Sequence, residues 1–217
     1  IEINIDAIKL KKAIQTPFCK DLEKVISDFS LDINLFERLI SAFKQDVEKK
    51  SYKNFDDLID YCNNAACPAG EMILRLFGEH NKTNISYSNS LCQALALIRM
   101  SQDIYEDLLK GRLYIPITEM KKFRLKKSDI KSKSFNQSWK TFKVSWLKRI
   151  ELLLNKGRPL NENVSGRLKL QINILISGAD LLIKRLKKDD SDWFMNPPKI
   201  SKLDWSILLF KTVIYKK

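Results

Sequence analysis

Apolar residues recur at intervals of three and four along most of the chain. The clearest stripe comprises Leu91, Ala94, Leu95 and Ile98, and it predicts a helix that buries one face. Glycine and proline are few, with 6 of each, so such stripes run long without interruption. The pattern predicts an all-α bundle with helices over 5–13, 17–29, 35–49, 55–77, 90–110, 138–155, 166–187 and 202–215.

Polar residues separate these helices and supply the residues that cap their starts. The predicted N-caps are Asn34, Asn54, Asn89 or Ser90, and Ser165. The lysine-rich stretch 121–134 is the one predicted flexible loop. With 217 residues, 44% of them hydrophobic, the chain can bury the core of a single domain over residues 1–217.

The chain lacks the sequence features of a membrane span or a secretion signal. No apolar run approaches the roughly 20 residues that a spanning helix needs, and residues 1–4 lack the charged start of a signal peptide. The four cysteines have no metal-ligand spacing, and the lone histidine, His80, lies in a polar turn. These features predict a cytoplasmic protein with reduced thiols and no zinc site.

A formal net charge of +13 favours an anionic partner, and much of it is concentrated in residues 121–149. Between positions 117 and 149, eleven Lys or Arg residues oppose two acids, which leaves 11 − 2 = +9. Interleaved aromatic residues could indicate a nucleic-acid site, but no nucleic-acid-binding motif accompanies them. We therefore expect no nucleic-acid partner. Peripheral contact with an acidic membrane surface is the favoured alternative to a solvated face without a partner.

Two aspartates, Asp103 and Asp107, lie four residues apart near the end of the predicted helix 90–110. Residues at this spacing share a helix face, so both carboxylates can offer oxygen ligands to one Mg²⁺ ion that carries a diphosphate. Gly111 is predicted to end the helix, which brings Arg112 close to both acids and to a bound phosphate. The alternative is an ordinary solvated acidic face.

Residues 65–70 are a cluster of small side chains with a proline inside a predicted helix. Pro68 removes the hydrogen bond to the carbonyl of Asn64, which predicts a kink. The small side chains would leave a groove beside that kink for a long apolar ligand. Alternatively, they merely let another helix pack closely.

The string 102–116 resembles the second aspartate-rich motif of the squalene and phytoene synthase family. Further strings resemble the same family in the same order, and the likeness covers essentially the whole chain; they are 41–47, 55–62, 66–70, 166–170 and 198–209. The branch that the chain resembles is the hydroxysqualene synthase of bacterial hopanoid synthesis. The resemblance implies a single-domain, isoprenoid-synthase-type helical bundle. It also implies that the chain is N-terminally incomplete, because the family's first aspartate-rich motif should precede residue 1.

The resemblance also implies a site. Asp103 and Asp107 would be catalytic and would hold Mg²⁺, while Arg112 would bind the diphosphate. Tyr61 would face the reacting carbons and guide a cation or a proton; a buried structural tyrosine is the alternative. Further substrate-binding residues implied by the family are Gly70, Gln102 and Tyr114.

The implied reaction is ionisation of presqualene diphosphate, an isoprenoid diphosphate, followed by capture of the cation by water to give hydroxysqualene. Two departures from the family pattern bear on it, because Arg99 stands where the family has Asn and Ala96 where it has Gln. Arg99 lies one helical turn before Asp103 and is predicted to pair with it, which would weaken a metal site. The alternatives are a non-catalytic binding or assembly protein, and a phytoene or presqualene diphosphate synthase.

Overall fold

A computed structural model describes residues 17–49, 51–188 and 192–214, and it confirms the predicted all-α fold. The predicted helix at 5–13 lies outside these residues. Within them the chain forms twelve helices and no strand. The helices are α1 (Pro17–Asp28), α2 (Ile33–Glu48), α3 (Phe55–Ala65), α4 (Cys67–Leu76), α5 (Lys82–Gln102), α6 (Ile104–Leu109), α7 (Ile117–Lys122), α8 (Lys127–Lys131), α9 (Gln137–Gly157), α10 (Leu160–Asn163), α11 (Gly166–Lys187) and α12 (Lys202–Ile214).

The centre of the bundle is α5, which packs against α9 and α4. Small polar residues such as Ser101 are buried along α5, and their hydroxyls bond back to the helix. The indole of Trp146 on α9 donates to the Ser101 hydroxyl over 2.9 Å, so this buried donor is satisfied. Gly157 allows the closest approach of the two helices, since a Cβ there would lie 2.8 Å from the backbone nitrogen of Leu91.

The helix predicted over 55–77 is broken into α3 and α4, as the proline implied. The break falls at Ala66, whose φ of −124° and ψ of −41° leave the helical region. Pro68 lies in the first turn of α4, where its missing N–H is tolerated. Gly70 lies where α4 meets α5, because a Cβ there would be 2.5 Å from the Ser88 hydroxyl.

Several local predictions were wrong. The stretch 121–134 is not an irregular loop, since it contains the end of α7 and all of α8, with Leu125 and Ile130 buried in the core. The helix predicted to start at Asn89 or Ser90 begins at Lys82, after the cap Asn81. Asp32 rather than Asn34 caps α2, whereas Asn54 caps α3 as predicted.

Candidate functional site at the end of the central helix

The acid pair lies at the junction of α5 and α6. The prediction of one continuous helix through residue 110 was wrong, because α5 ends at Gln102 and the next residue, Asp103, has a φ of −103° and a ψ of 10°. The amide of Asp107 nevertheless donates to the carbonyl of Asp103 over 2.8 Å. The two aspartates therefore remain one turn apart despite the break.

Each aspartate is paired with a different arginine. The spacing predicted the pair of Arg99 with Asp103, whereas Arg112, expected close to both acids, pairs with Asp107. The Nε atom of Arg99 lies 2.5 Å from Oδ2 of Asp103. Gly111, with a φ of 78°, reverses the chain after α6, and Nη2 of Arg112 then lies 3.1 Å from Oδ1 of Asp107. Both carboxylates of the candidate metal pair are therefore already in contact with a guanidinium.

Asp107 is the more deeply placed of the two acids. Burial raises the pKa of its carboxyl above the ordinary value, and the neighbouring charge of Asp103 adds to that rise. The guanidinium of Arg112 opposes the rise by stabilising the charged form. A carboxylate in this position gains stability from any further cation that approaches it.

A third acid, Asp46 on α2, connects this end of the bundle to an aromatic cluster. Its Oδ1 atom accepts hydrogen bonds from the hydroxyls of Tyr61 and Tyr114, each over 2.8 Å. Its Oδ2 atom lies 3.9 Å from Nη1 of Arg112. Arg112 therefore bridges Asp107 and Asp46, and it joins the acid pair to the two tyrosines.

Tyr52 completes that cluster, and its ring packs against both tyrosines. The ring centroids are separated by 5.4 Å for Tyr52–Tyr61, 5.6 Å for Tyr52–Tyr114 and 5.5 Å for Tyr61–Tyr114. Burial raises the pKa of Tyr114 to about 12 and also raises the pKa of Tyr61 and of Tyr52. All three hydroxyls are therefore protonated at neutral pH, and those of Tyr61 and Tyr114 donate to Asp46.

Sequence reasoning did not assign Asp46 and Tyr52 to the site. Asp46 lies 68 residues from Tyr114, and only the tertiary fold brings them together. One signal was present in the sequence, because Asp46 falls within the string 41–47 that resembles the family.

Two predicted substrate-binding residues have structural contacts here. The amide nitrogen of Gln102 donates to the carbonyl of Pro198 over 2.5 Å, which ties the end of α5 to the segment before α12. Gly70 provides the close packing of α4 on α5, which is the alternative considered for the small-residue cluster. Their substrate-binding roles stay predictions.

The donor set fits an Mg²⁺ ion that arrives together with a diphosphate. The described residues contain no group of three or more His, Cys, Asp or Glu side chains that could hold a metal ion without help from a bound diphosphate. Mg²⁺ commonly uses only one or two carboxylates and takes its other ligands from water and phosphate. Asp103 and Asp107 could supply that pair. The enclosed space beside Asp107, about 10 Å³, would hold at most a water molecule.

Fold and site together define an all-helical protein with a carboxylate–arginine site at the end of its central helix. The family model for squalene/phytoene synthase matches residues 3–205, so the chain belongs to that family. A hydroxysqualene synthase of Sinorhizobium fredii is 33% identical over 154 residues, which are 70% of this chain and 52% of the relative. The chain spans about half the length of the curated relatives it matches.

Solved structures show the same fold. The squalene synthase HpnC of Alicyclobacillus acidocaldarius superposes with a TM-score of 0.80 at 27% identity, over 86% of this chain and 70% of that chain. A dehydrosqualene synthase solved with a ligand superposes with a TM-score of 0.88 over 99% of this chain and 76% of that chain. Its 20% identity supports the fold alone. The predicted isoprenoid-synthase-type bundle is thereby confirmed.

Proposed function

We propose that the protein of which this chain is part is an Mg²⁺-dependent isoprenoid synthase that converts presqualene diphosphate to hydroxysqualene. Membership of the squalene/phytoene synthase family supports the class of reaction. The particular reaction is proposed because a 33% identical relative from Sinorhizobium fredii is a hydroxysqualene synthase.

The observation that carries this proposal is the position of Arg112. Its guanidinium lies 3.1 Å from Asp107 and 3.9 Å from Asp46, and Asp46 holds the hydroxyls of two tyrosines. A diphosphate that binds Arg112 would therefore lie beside protonated phenol groups and a buried carboxylate. The guanidinium of Arg112, together with a metal ion held by the carboxylates, suits a reaction in which negative charge develops on a leaving diphosphate.

The residues have separate roles in this proposal. Arg112 forks onto the diphosphate and orients it, and Asp103 and Asp107 would hold Mg²⁺, which neutralises charge on the leaving group. The rings of Tyr61 and Tyr114 would present π faces to the carbocation. The exposed side chains of Phe43 and Val47, beside Asp46 on α2, offer an apolar surface for the prenyl chain.

The test is an assay of pyrophosphate release with presqualene diphosphate and Mg²⁺, together with identification of the alcohol product. The protein is expressed from its complete coding sequence. We expect Arg112→Ala to lower the rate about 100-fold, as for the loss of one donor that stabilises transition-state charge. Lys110→Ala is the matched control, since Lys110 is an exposed cation two residues away. Absence of pyrophosphate release from the wild-type protein would overturn the proposal.

The pairing of Arg99 with Asp103 favours a second candidate function. In this second candidate the protein is a non-catalytic member of the family that acts as a binding or assembly protein. That guanidinium lies against a carboxylate that the enzyme would use for metal. Arg99→Asn separates the two candidates. If the protein is an enzyme, this substitution frees Asp103 for the metal. The Mg²⁺ concentration for half-maximal pyrophosphate release should then fall by roughly fivefold, because an exposed ion pair contributes at most about 1 kcal/mol. A binding protein releases no pyrophosphate in either form.

The same assay distinguishes a phytoene or presqualene diphosphate synthase. Such an enzyme would release pyrophosphate from geranylgeranyl or farnesyl diphosphate supplied alone. Its product would contain two of these prenyl units joined to each other. Hydroxysqualene formed from presqualene diphosphate, with no product from the two shorter substrates, supports the proposed reaction.

A further inference from the structure

A strongly basic segment of the described chain runs from α7 through α8 to the exposed side of α9. Between positions 117 and 149, nine lysine and arginine side chains are exposed; they are Lys121, Lys122, Arg124, Lys126, Lys127, Lys131, Lys133, Lys140 and Lys148. Neither acid in this interval is exposed. The interval therefore presents positive charge to solvent without an exposed acid of its own.

Both acids of this interval are used inside the fold. Glu119 is buried and accepts from Nη2 of Arg149 over 2.9 Å. Asp129 accepts from the indole nitrogen of Trp139 over 3.2 Å. Because these carboxylates point inward, they do little to screen the exposed cations from an anionic partner.

The α9 helix adds exposed apolar side chains to this charge. Lys140, Val144, Lys148, Leu152 and Lys156 follow one another at intervals of four along α9, and all five are exposed. The exposed fractions of Val144 and Leu152 are 69% and 61%. At 1.5 Å per residue this row, here called the α9 ridge, spans roughly 24 Å. Each step of four residues turns it by about 40°, so it crosses the exposed face of α9 obliquely and its two ends point about 160° apart.

A groove of about 800 Å³ runs beside the α9 ridge, and its walls include Lys122, Phe123, Lys140 and Lys148. A further wall residue, Lys187, pairs with Glu151 over 2.6 Å and so neutralises the nearest acid on α9. The opposite face of α9 is fixed in the core by Trp139, Phe142 and Trp146 among others. The cationic surface is therefore preformed, and binding to it requires little ordering of backbone.

We propose that the α9 ridge and its groove dock the protein on an anionic lipid bilayer. Alternation of lysine with exposed aliphatic side chains suits that partner, because lysines attract lipid phosphates while Val144 and Leu152 enter the boundary of the acyl chains. A nucleic acid would use the lysines but would leave the two aliphatic side chains without a role. No described helix has the length and apolarity to cross a bilayer, so the contact is at the surface.

Vesicle co-sedimentation tests this proposal without substrate, so its result does not depend on the proposed enzymatic function. The chain is mixed with phosphatidylcholine vesicles, with or without about a third of phosphatidylglycerol, which supplies the anionic surface. We expect binding only to the anionic vesicles, and a decrease as salt is added. The test variant is Lys140→Glu combined with Lys148→Glu. Lys20→Glu combined with Lys24→Glu on α1 makes the same change of net charge at two exposed lysines outside the surface.

Each lysine near an anionic bilayer contributes roughly fivefold to binding, so the test variant should lose at least about 25-fold in partition coefficient. The control variant should stay within about threefold of wild type, since its charges lie away from the bilayer. Val144→Ser combined with Leu152→Ser should weaken the part of binding that survives high salt. Circular dichroism checks that every variant is folded.

Three results would overturn the proposal. The first is failure of the wild-type chain to sediment with anionic vesicles at physiological ionic strength. The second is an equal loss of binding in the control variant. The third is tight binding of single-stranded RNA that depends on Lys140 and Lys148 while vesicles are ignored, because this would identify the surface as a nucleic-acid site.

Discussion

Replacement of Asp46 by alanine is expected to lower the free energy of unfolding by about 3 kcal/mol. Asp46 accepts two hydrogen bonds, from the hydroxyls of Tyr61 and Tyr114, and a hydrogen bond to an ionised group contributes about 1.5–3 kcal/mol. We take the lower value, about 1.5 kcal/mol, for each of the two hydrogen bonds. The Asp46 side chain is 24% exposed, so water can replace part of the hydrogen bonding that alanine removes.

Asparagine at the same position should cost much less than alanine. Both tyrosine hydroxyls donate to Oδ1 of Asp46, and the amide oxygen of asparagine can occupy that place. The two hydrogen bonds persist as neutral ones, which are roughly half as strong as charge-assisted ones. We therefore expect Asp46→Asn to lower the free energy of unfolding by about 1.5 kcal/mol, half the loss for alanine.

Urea denaturation followed by circular dichroism measures these differences. Asp60→Ala is the matched control, because Asp60 is an exposed acid and its removal should change the free energy of unfolding by less than about 0.5 kcal/mol. Tyr61→Phe, made alone and in the Asp46→Ala background, should show a coupling energy of about 1 kcal/mol. Equal costs for alanine at positions 46 and 60, or additive effects of the Asp46 and Tyr61 changes, would refute this account of the cluster.

Two further predictions test the packing and the ionisation of the bundle. Gly157→Ala should lower the free energy of unfolding by about 2 kcal/mol in a thermal melt, because its Cβ would lie 2.8 Å from a backbone nitrogen of α5. The control Gly166→Ala has open space around its Cβ but a φ of +56°, and it should lower the free energy of unfolding by about 1 kcal/mol. A Gly157→Ala protein more stable than wild type would contradict the close approach of the two helices. Burial raises the pKa of Tyr114 to about 12, so the stability that its neutral hydroxyl provides is complete below pH 10 and is lost as pH rises from 10 through 12. Urea titrations of wild type and Tyr114→Phe should converge over that interval, and parallel pH profiles would contradict the raised pKa.

The parts of the site that the sequence predicted correctly depend on contacts close in the chain. Arg99 and Asp103 are one helical turn apart, and Arg112 follows Asp107 through a single glycine turn, so local geometry determines both pairs. The contact between Asp46 and Tyr114 spans 68 residues and depends on how α2 packs, which no local pattern encodes. The prediction of a flexible loop over 121–134 was wrong for a related reason. Its lysines suggested a solvated loop, whereas Leu125 and Ile130 fill the core between them.

The two arginine–aspartate pairs differ in a way that bears on the proposed function. Arg99 has a 70% exposed side chain, so its pairing with Asp103 contributes at most about 1 kcal/mol and yields readily to a competing ligand. Arg112 is largely shielded and contacts both Asp107 and Asp46, so its displacement would leave two carboxylates without their cation. A diphosphate can therefore draw Arg99 away from Asp103 while Arg112 keeps its place. In the proposed enzyme, Arg99 would therefore tune the Mg²⁺ requirement, and Arg112 would determine whether the site can act on a diphosphate.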